Sequence, residues 1–269
     1  MHGYYINLDR SVKRREDFER EILKIESYLS VQRFSAIDGK LNQNHNTRLS
    51  AAEFGCYLSH LNVIKNAKSN ENILIIEDDE IIHDSLKFAK EDITNIDSDS
   101  WDIVYLDLTV VEVEDFLFLS RNFKNIISGQ TNVNLIKIPS SMTVYGAHAY
   151  VVNFKSLPKI IHLLETSLNL GLPIDNVYCA AIQQNLLNAL VYLPLPMAPS
   201  EETFSSTIAT SEHPLMRDWT LFRKTLSAYY PRDPVFINND LKHTIEEICI
   251  NRLKFACLET FNPLNRINN

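Results

Sequence analysis

Four consecutive acidic residues, Glu77-Asp78-Asp79-Glu80, follow an apolar run at residues 73–76. Crowded carboxylates repel one another and are costly to remove from water, and a divalent cation relieves both penalties. Acidic runs also occur in solvated loops, so charge alone does not establish a metal site. The position favours one, because ligands of open α/β sheets gather outside the carboxyl ends of the strands. The sequence therefore predicts Mn²⁺ or Mg²⁺ at this point.

A cation of this kind also indicates the class of substrate. Mg²⁺ and Mn²⁺ that are held by one or two carboxylates complete their coordination with water and substrate phosphates, which points to a nucleoside diphosphate. If strand alternation continues past residue 76, Glu77 and Asp79 face one side of the sheet and Asp78 faces the other.

The elements that must position the acidic run alternate between strands and helices. Residues 73–76 suit a strand that is covered on both faces, and Ser50 with Glu53 has the spacing of a capping box at the start of a helix. The alternation predicts an α/β fold with a Rossmann-type, mostly parallel sheet flanked by helices. Strands are expected near residues 4–8, 31–37, 73–76, 101–108, 134–138, 144–153 and 189–193, and helices near residues 18–29, 50–68, 84–96, 156–169, 175–187, 215–230 and 240–260.

Composition excludes several classes of protein. The chain has 269 residues, ordinary hydrophobic and charged fractions and a net charge of −8, so neither disorder nor a nucleic-acid-binding surface built on positive charge is expected. Its four cysteines show no paired spacing and lie among apolar residues, which is typical of thiols in a reducing compartment. The sequence shows no basic leader and no bilayer-length apolar run. We therefore expect a cytoplasmic protein, with attachment to the inner face of a membrane left open.

Six short motifs follow one another along the chain. They are Tyr5-Ile-Asn-Leu-Asp-Arg10 with Arg14-Arg15, Ala36-Ile-Asp-Gly39, Glu53-Phe-Gly-Cys-Tyr-Leu-Ser-His60, Ile75-Ile-Glu-Asp-Asp79, Tyr145-Gly-Ala-His-Ala-Tyr-Val-Val152 and Pro173-Ile-Asp175. Their order resembles that of the family 25 glycosyltransferases, among them bacterial lipooligosaccharide galactosyltransferases and, more distantly, animal collagen galactosyltransferases. The resemblance extends over roughly residues 3–210.

The resemblance implies a GT-A-like fold, a UDP-sugar donor, inversion at the anomeric carbon and a metal held by an Asp-x-Asp-like element. Carried onto this sequence, it implies Asp79 as the preferred metal ligand, Glu77 as the second ligand and Asp78 as a substrate contact. His213 is the expected position of a late histidine ligand.

The donor site is expected along the first strand and the turns beside it. The resemblance implies that Asn7, Asp9, Arg10 and Arg15 surround the nucleotide. Asp9 equally suits a helix cap, and the arginines equally suit solvated surface pairs. The resemblance also implies a donor contact for Asp38, although an Asp-Gly pair is common in simple turns.

His60 has two interpretations. It lies two helical turns after Glu53 on the predicted helix, so both residues fall near one face. The resemblance implies contact of its imidazole with the donor diphosphate, and a structural histidine is equally consistent with the sequence. His148 stays unassigned, because relatives often have a small residue there.

Inverting transfer needs a carboxylate that removes the proton of the acceptor hydroxyl. Asp175 is the preferred base, because it follows a turn at the start of a predicted helix. The same position also suits an ordinary N-cap. Asp107, near the end of the predicted strand at residues 101–108, is the competing base or acceptor ligand.

These features predict a catalytic domain over residues 1–212 and a helical extension over residues 213–269 packed on it. The expected activity moves a hexose, with galactose preferred, from a UDP-sugar to a lipooligosaccharide or another surface glycan. The expected partners are that donor and an oligosaccharide or glycolipid acceptor, with the oligomeric state open. Two alternatives remain: a metal-dependent phosphoryl-transfer enzyme or hydrolase, and a non-catalytic nucleotide-sugar-binding module.

Overall fold

A seven-stranded mixed sheet lies at the centre of the fold. The computed structural model describes residues 1–41, 48–68, 70–200, 216–227, 242–243 and 246–247. Its strands are β1 (His2–Asn7), β2 (Val31–Ser35), β3 (Ile73–Glu77), β4 (Glu80–Ile82), β5 (Ile103–Val110), β6 (Leu135–Lys137), β7 (Val144–Val152), β8 (Ala189–Tyr192) and β9 (Met197–Pro199). β4 and β9 pair separately, and the others lie in the order β2-β1-β3-β7-β5-β8-β6, with β6 and β7 running against the rest. The predicted α/β fold with a mostly parallel sheet is confirmed.

Helices flank this sheet. Those of the described residues are α1 (Val12–Leu23), α2 (Ala51–Asn66), α3 (Leu86–Asn95), α4 (Val113–Ile127), α5 (Leu157–Ser167), α6 (Ile174–Gln183) and α7 (Met216–Ser227). The predicted capping box begins α2: the Glu53 N–H donates to Ser50 Oγ at 3.2 Å, and the Ser50 N–H donates to Glu53 Oε2 at 2.8 Å. The helix α4 was not predicted from the sequence, although Phe116, Leu119 and Phe123 recur at helical spacing and form the buried face of this helix.

The strand β3 is covered on both faces, as predicted. Residues 73–76 are at most 1% exposed. Alternate residues of the strand pack with Tyr57 of α2 on one face and with Phe18 of α1 on the other. Because apolar burial on both sides stabilises the strand, its carboxyl end is held at a defined place.

The carboxyl end of β3 lies between two other strands. β1 runs parallel to it, with Ile6 opposite Glu77. β7 runs antiparallel on the other side, with Ala149 opposite Ile76, so His148 follows at the same edge. Side chains from three strands therefore meet where the acidic run begins.

The helix α7 packs against the rest of the fold. Phe222 contacts Phe116 of α4 edge-on, with 4.4 Å between ring centroids. The Leu195 N–H donates to the carbonyl of Leu226 at 3.1 Å. Both contacts join α7 to residues that lie far from it in the sequence.

Much of the predicted extension over residues 213–269 lies outside the described residues. His213 and most of the predicted helix near residues 240–260 belong to that part. The domain boundary at residue 212 therefore stays a prediction. In the part of the chain that the structure describes, no helix combines the length and the apolar character needed to cross a bilayer.

Candidate active site

The acidic run lies where β3 ends, beside an arginine of α1. Arg14 contacts both Asp78 and Asp79, with Nη2 3.1 Å from Asp79 Oδ2. Asn7, which is 1% exposed, donates from Nδ2 to Asp78 Oδ2 at 2.5 Å. Burial raises the pKa of Asp78 to about 6 and also raises the pKa of Asp79, although the guanidinium opposes both shifts. Negative charge is therefore concentrated at this edge of the sheet.

The predicted alternation of the run is wrong. Glu77 is the last residue of β3, and the chain turns directly after it. Asp79 shares Arg14 with Asp78, whereas Glu77 contacts histidines of α2 and β7. The two-residue period applies only while the residues remain in a strand.

Two histidines hold the carboxylate of Glu77. His60 Nε2 lies 3.2 Å from Oε1, and His148 Nδ1 lies 3.6 Å from Oε2. Burial opposes the charged form of Glu77, but His148 and His60 outweigh it and lower the pKa of this carboxyl group. Burial likewise opposes the charged form of His148, and the pairing with Glu77 raises the pKa of His148 to about 10. The sequence gives no sign of this role, because only the pairing of β7 with β3 brings His148 here.

His60 is buried and contacts protein groups through both ring nitrogens. Its side chain is 0% exposed, and Nδ1 lies 2.9 Å from the hydroxyl oxygen of Tyr150 while Nε2 faces Glu77. Both ring nitrogens are engaged with protein groups. The predicted contact with a donor diphosphate would require one of them to be displaced, so the structural interpretation of His60 is favoured.

Asp107 belongs to a buried ion group. Arg223 of α7 donates from Nε to Asp107 Oδ1 at 2.9 Å and also contacts Oδ2, and its Nη2 lies 2.9 Å from Glu80 Oε1. Asp107 is 0% exposed. A general base needs a lone pair that the acceptor can reach. This arrangement favours a structural ion pair, and the base or acceptor role of Asp107 stays a prediction.

A cavity of about 310 Å³ opens at the carboxyl ends of β1 and β3. Arg10 and Asp38 line it and form an ion pair, with side chains 45% and 20% exposed. Arg14, Glu77 and Asp78 line the same cavity. Basic and acidic side chains thus face one open volume, which suits a ligand that carries phosphates and binds together with a metal ion.

Asp9 and Arg15 are absent from the described lining of this cavity. The side chain of Asp9 is 74% exposed, and hydrogen bonds from Arg33 and Ser35 lower its pKa. Arg15 follows Arg14 on α1, and a helix turns successive side chains by about 100°. Arg14 rather than Arg15 is therefore the arginine of this pair that reaches the acidic run.

A family model described as glycosyltransferase family 25 (LPS biosynthesis protein) matches residues 1–178. This segment includes the acidic run, the cavity lining and Asp175. The chain belongs to glycosyltransferase family 25. The family 25 protein is thus a glycosyltransferase, and the resemblance based on its motifs is confirmed. None of the curated protein sequences matches it.

Similarity of the family 25 protein to solved structures is weak. An active-site mutant of LgtC is 13% identical, with a TM-score of 0.41, over 82% of this chain and 83% of that one. Galactosyltransferase LgtC in complex with donor and acceptor sugar analogues is 14% identical, with a TM-score of 0.33, over 82% of this chain and 83% of that one. The apo form of mouse xyloside xylosyltransferase 1 is 12% identical, with a TM-score of 0.35, over 68% of this chain and 62% of that one.

In the family 25 protein, Asp175 lies in the first turn of α6. Pro173 is the N-cap residue, so Asp175 does not take the capping role considered above. Burial raises the pKa of Asp175, although the Asn176 N–H donates to its Oδ1 at 2.9 Å and the charge of His148 opposes the rise. The charge of Glu77 raises this pKa further. Asp175 therefore interacts electrostatically with the residues at the end of β3.

Proposed function

We propose that the family 25 protein transfers a hexose, with galactose preferred, from a UDP-sugar to a lipooligosaccharide or other surface-glycan acceptor, with inversion at the anomeric carbon. The observation that supports this most is the cavity at the ends of β1 and β3, whose lining combines acidic residues with Arg10 and Arg14. This edge of an α/β sheet is where ligands collect. A nucleoside diphosphate is bound well by cationic side chains together with a hard metal ion.

Mn²⁺ or Mg²⁺ fits the residues at the end of β3. The donors there are carboxylate oxygens, which such ions prefer. Burial raises the pKa values of Asp78, Asp79 and Glu80, and the charges of neighbouring carboxylates raise them further. We assign Asp79 as the first ligand and Glu77 as the second, and keep His213 as a proposed later ligand. When bound, the ion neutralises the charge that develops on the departing diphosphate.

Arg10 and Arg14 supply the positive charge for the donor diphosphate. Arg10 is about half exposed and pairs with Asp38, so a phosphate can take the place of that carboxylate. Arg14 is held by Asp78 and Asp79 and already lines the cavity. Once released from Arg10, the carboxylate of Asp38 can accept a hydrogen bond from the nucleoside.

Asp175 is the proposed general base. Its carboxyl group has a pKa raised by burial, which makes it a stronger base than an exposed aspartate. From the first turn of α6 its carboxyl group interacts electrostatically with His148 and Glu77. We assign it to accept the proton of the acceptor hydroxyl as that oxygen attacks the anomeric carbon.

Donor turnover tests this function. The wild type, Asp175→Asn and Asp99→Asn are each incubated with Mn²⁺, the acceptor and one nucleotide sugar at a time. The nucleotide sugars are UDP-galactose, UDP-glucose and UDP-N-acetylhexosamines. Asp99 is exposed and pairs with Lys155 at a distant loop, so it is the matched control. We expect a hexose donor to be used, and Asp175→Asn to lose about 10²–10⁴-fold in transfer at unchanged donor affinity.

Equal rates for Asp175→Asn and Asp99→Asn would contradict the base assignment. Donor binding without turnover of any nucleotide sugar in the wild type would indicate a non-catalytic module. Failure to bind any uridine nucleotide would contradict the proposed donor class.

We further propose that the protein is cytoplasmic and works on a lipid-linked acceptor at the inner face of the membrane. The net charge of −8 disfavours attachment through anionic lipids alone. We therefore expect the acceptor to recruit the protein. Co-sedimentation with vesicles should occur when they contain lipooligosaccharide, and equal sedimentation with plain anionic vesicles would contradict this.

A further inference from the structure

Cys56, His60 and Glu77 form a second group of metal-binding side chains beside the acidic run. Cys56 and His60 are four residues apart on α2, so both face the end of β3, where Glu77 lies. Two ligands at this helical spacing can bind one ion, as paired histidines do in zinc proteases. Sulfur, nitrogen and oxygen donors are the set that Zn²⁺ uses in proteins.

Two of the three separations between these donor atoms match the edges of a tetrahedral ion. The His60 Nε2 atom lies 3.2 Å from Glu77 Oε1, and the Cys56 Sγ atom lies 3.7 Å from the same oxygen. Zinc–ligand bonds of the usual length give tetrahedral edges of roughly 3.4 Å between nitrogen and oxygen and roughly 3.6 Å between sulfur and oxygen. All three donor atoms lie within 4.8 Å of one another.

Neighbouring contacts position two of these three ligands. The Nδ1 atom of His60 lies 2.9 Å from the Tyr150 hydroxyl, which in turn lies 3.4 Å from the Tyr178 hydroxyl. Contacts of this kind fix the ring of a ligating histidine. His148 holds the second oxygen of Glu77 at 3.6 Å. An arriving ion replaces the hydrogen bonds of His60 Nε2 and Cys56 Sγ to Glu77 Oε1. The contacts with Tyr150 and His148 can remain.

The group is accessible from the cavity. Cys56, His60 and Glu77 all contribute to the lining of the cavity of about 310 Å³. All three side chains can therefore be reached by an ion from this volume. Three protein ligands with one open position are typical of zinc sites that bind a further ligand.

We propose that Cys56, His60 and Glu77 bind one Zn²⁺ ion, or another thiophilic divalent cation, with the fourth position open to the cavity. Binding releases the thiol proton of Cys56 to solvent and leaves a thiolate ligand. His60 ligates through Nε2 as the neutral tautomer whose proton is on Nδ1, from which it is donated to the Tyr150 hydroxyl oxygen. The site differs from the acidic run, whose oxygen donors favour Mn²⁺ or Mg²⁺. One consequence rests on the proposed function: because Glu77 belongs to both sites, Zn²⁺ competes with the hard ion for this carboxylate and inhibits transfer.

Titration of the purified protein with Co²⁺ tests the site. Co²⁺ takes the place of Zn²⁺, and its thiolate complexes show a sulfur-to-cobalt charge-transfer band in the near ultraviolet. We expect a single equivalent of Co²⁺ to produce this band and Zn²⁺ to remove it. Cys56→Ser should abolish the band, whereas Cys179→Ser, which changes a buried thiol on α6, should retain it. Absence of the band in the wild type, or its survival in Cys56→Ser, would overturn the proposal.

Tyr150→Phe provides a second test that keeps the three ligands. Loss of a hydrogen bond to a ligating histidine weakens metal binding by about 10–100-fold, so the band should keep its shape and need more Co²⁺ to saturate. Thermal denaturation confirms that each variant is folded. Unchanged Co²⁺ affinity in Tyr150→Phe would contradict ligation by His60. These spectra require no donor, so they succeed or fail separately from the proposed transferase activity.

Discussion

Buried carboxylates at the two edges of the sheet are paired in opposite ways. At the amino end of β5, Asp102 accepts hydrogen bonds from Ser156 Oγ at 2.6 Å, from Lys159 Nζ at 2.7 Å and from the Asn188 backbone N–H at 2.7 Å. Burial alone would raise its pKa, but these donors outweigh it and lower the pKa. Asp102 therefore stabilises the fold in its charged form.

At Asp78 and Asp79, directly after the carboxyl end of β3, the balance is reversed. Asp78 and Asp79 share the guanidinium of Arg14, and burial raises the pKa of both carboxyl groups. Both edges bury carboxylates, so burial does not distinguish them. The direction of the pKa shift does: hydrogen bonds outweigh burial at Asp102, whereas burial outweighs Arg14 at Asp78 and Asp79, so an additional cation is favoured there.

Arg223→Met is expected to have the largest effect on stability. Arg223 joins two buried carboxylates, Glu80 and Asp107, and a buried charge that loses its partner destabilises a protein by about 3–5 kcal/mol. The free energy of unfolding, measured by urea denaturation, should fall by that amount. Lys224→Met on the same helix is the control and should change it by less than about 1 kcal/mol. Equal stability of the two variants would contradict a structural role for the ion group.

Asp79→Asn tests the acidic run at the carboxyl end of β3. Removing one charge from a crowded run should leave the free energy of unfolding unchanged or raise it. Transfer should fall by about 10²–10³-fold, because electrostatic stabilisation of the departing diphosphate is weakened. Steady-state kinetics with Mn²⁺ and urea denaturation measure the two quantities. If Asp79→Asn were unstable but fully active when folded, Asp79 would have a structural role rather than the proposed functional one.

Asp102→Asn is the matching change at the amino edge. The amide presents a donor to groups that already donate, so we expect a loss of about 1–3 kcal/mol in the free energy of unfolding. Donor turnover per folded molecule should stay at the wild-type value, because the residue lies at the opposite edge from the cavity. Lower turnover at unchanged stability would contradict this assignment.

The smallest expected effect is the acid dependence of stability that Asp102 contributes. Its pKa in the folded protein lies below the ordinary value of 3.8, because hydrogen bonds favour the charged form. The stabilisation is therefore complete above about pH 3.8 and is lost as the pH falls through the lower, folded value. The unfolding free energy of the wild type should decline more steeply in this range than that of Asp102→Asn. If the unfolding free energies of the two proteins changed in parallel with pH, Asp102 would not be the cause of the decline at low pH.

Features that depend on neighbouring residues could be predicted from the sequence. The apolar run before Glu77 and the capping box of Ser50 and Glu53 involve residues a few positions apart, and both are confirmed. The acidic run was recognisable for the same reason. Its side-chain directions were not, because they depend on the turn that follows β3.

Contacts between distant segments could not be predicted in this way. Arg223 reaches Asp107 across 116 positions of the sequence, and His148 reaches Glu77 only through the pairing of β7 with β3. The choice of Arg14 over Arg15 depends on the rotation of α1 against the sheet. Each of these contacts follows from the topology, which a single sequence does not specify at this level of detail.

Calorimetric titration of UDP with and without Mn²⁺ tests the central claim most directly. If the acidic run and a hard ion together bind the donor diphosphate, the wild type and the Asp99→Asn control should bind UDP tightly with Mn²⁺. Binding should weaken at least about tenfold without Mn²⁺ or in Asp79→Asn. Equal UDP affinity under all of these conditions would contradict the claim.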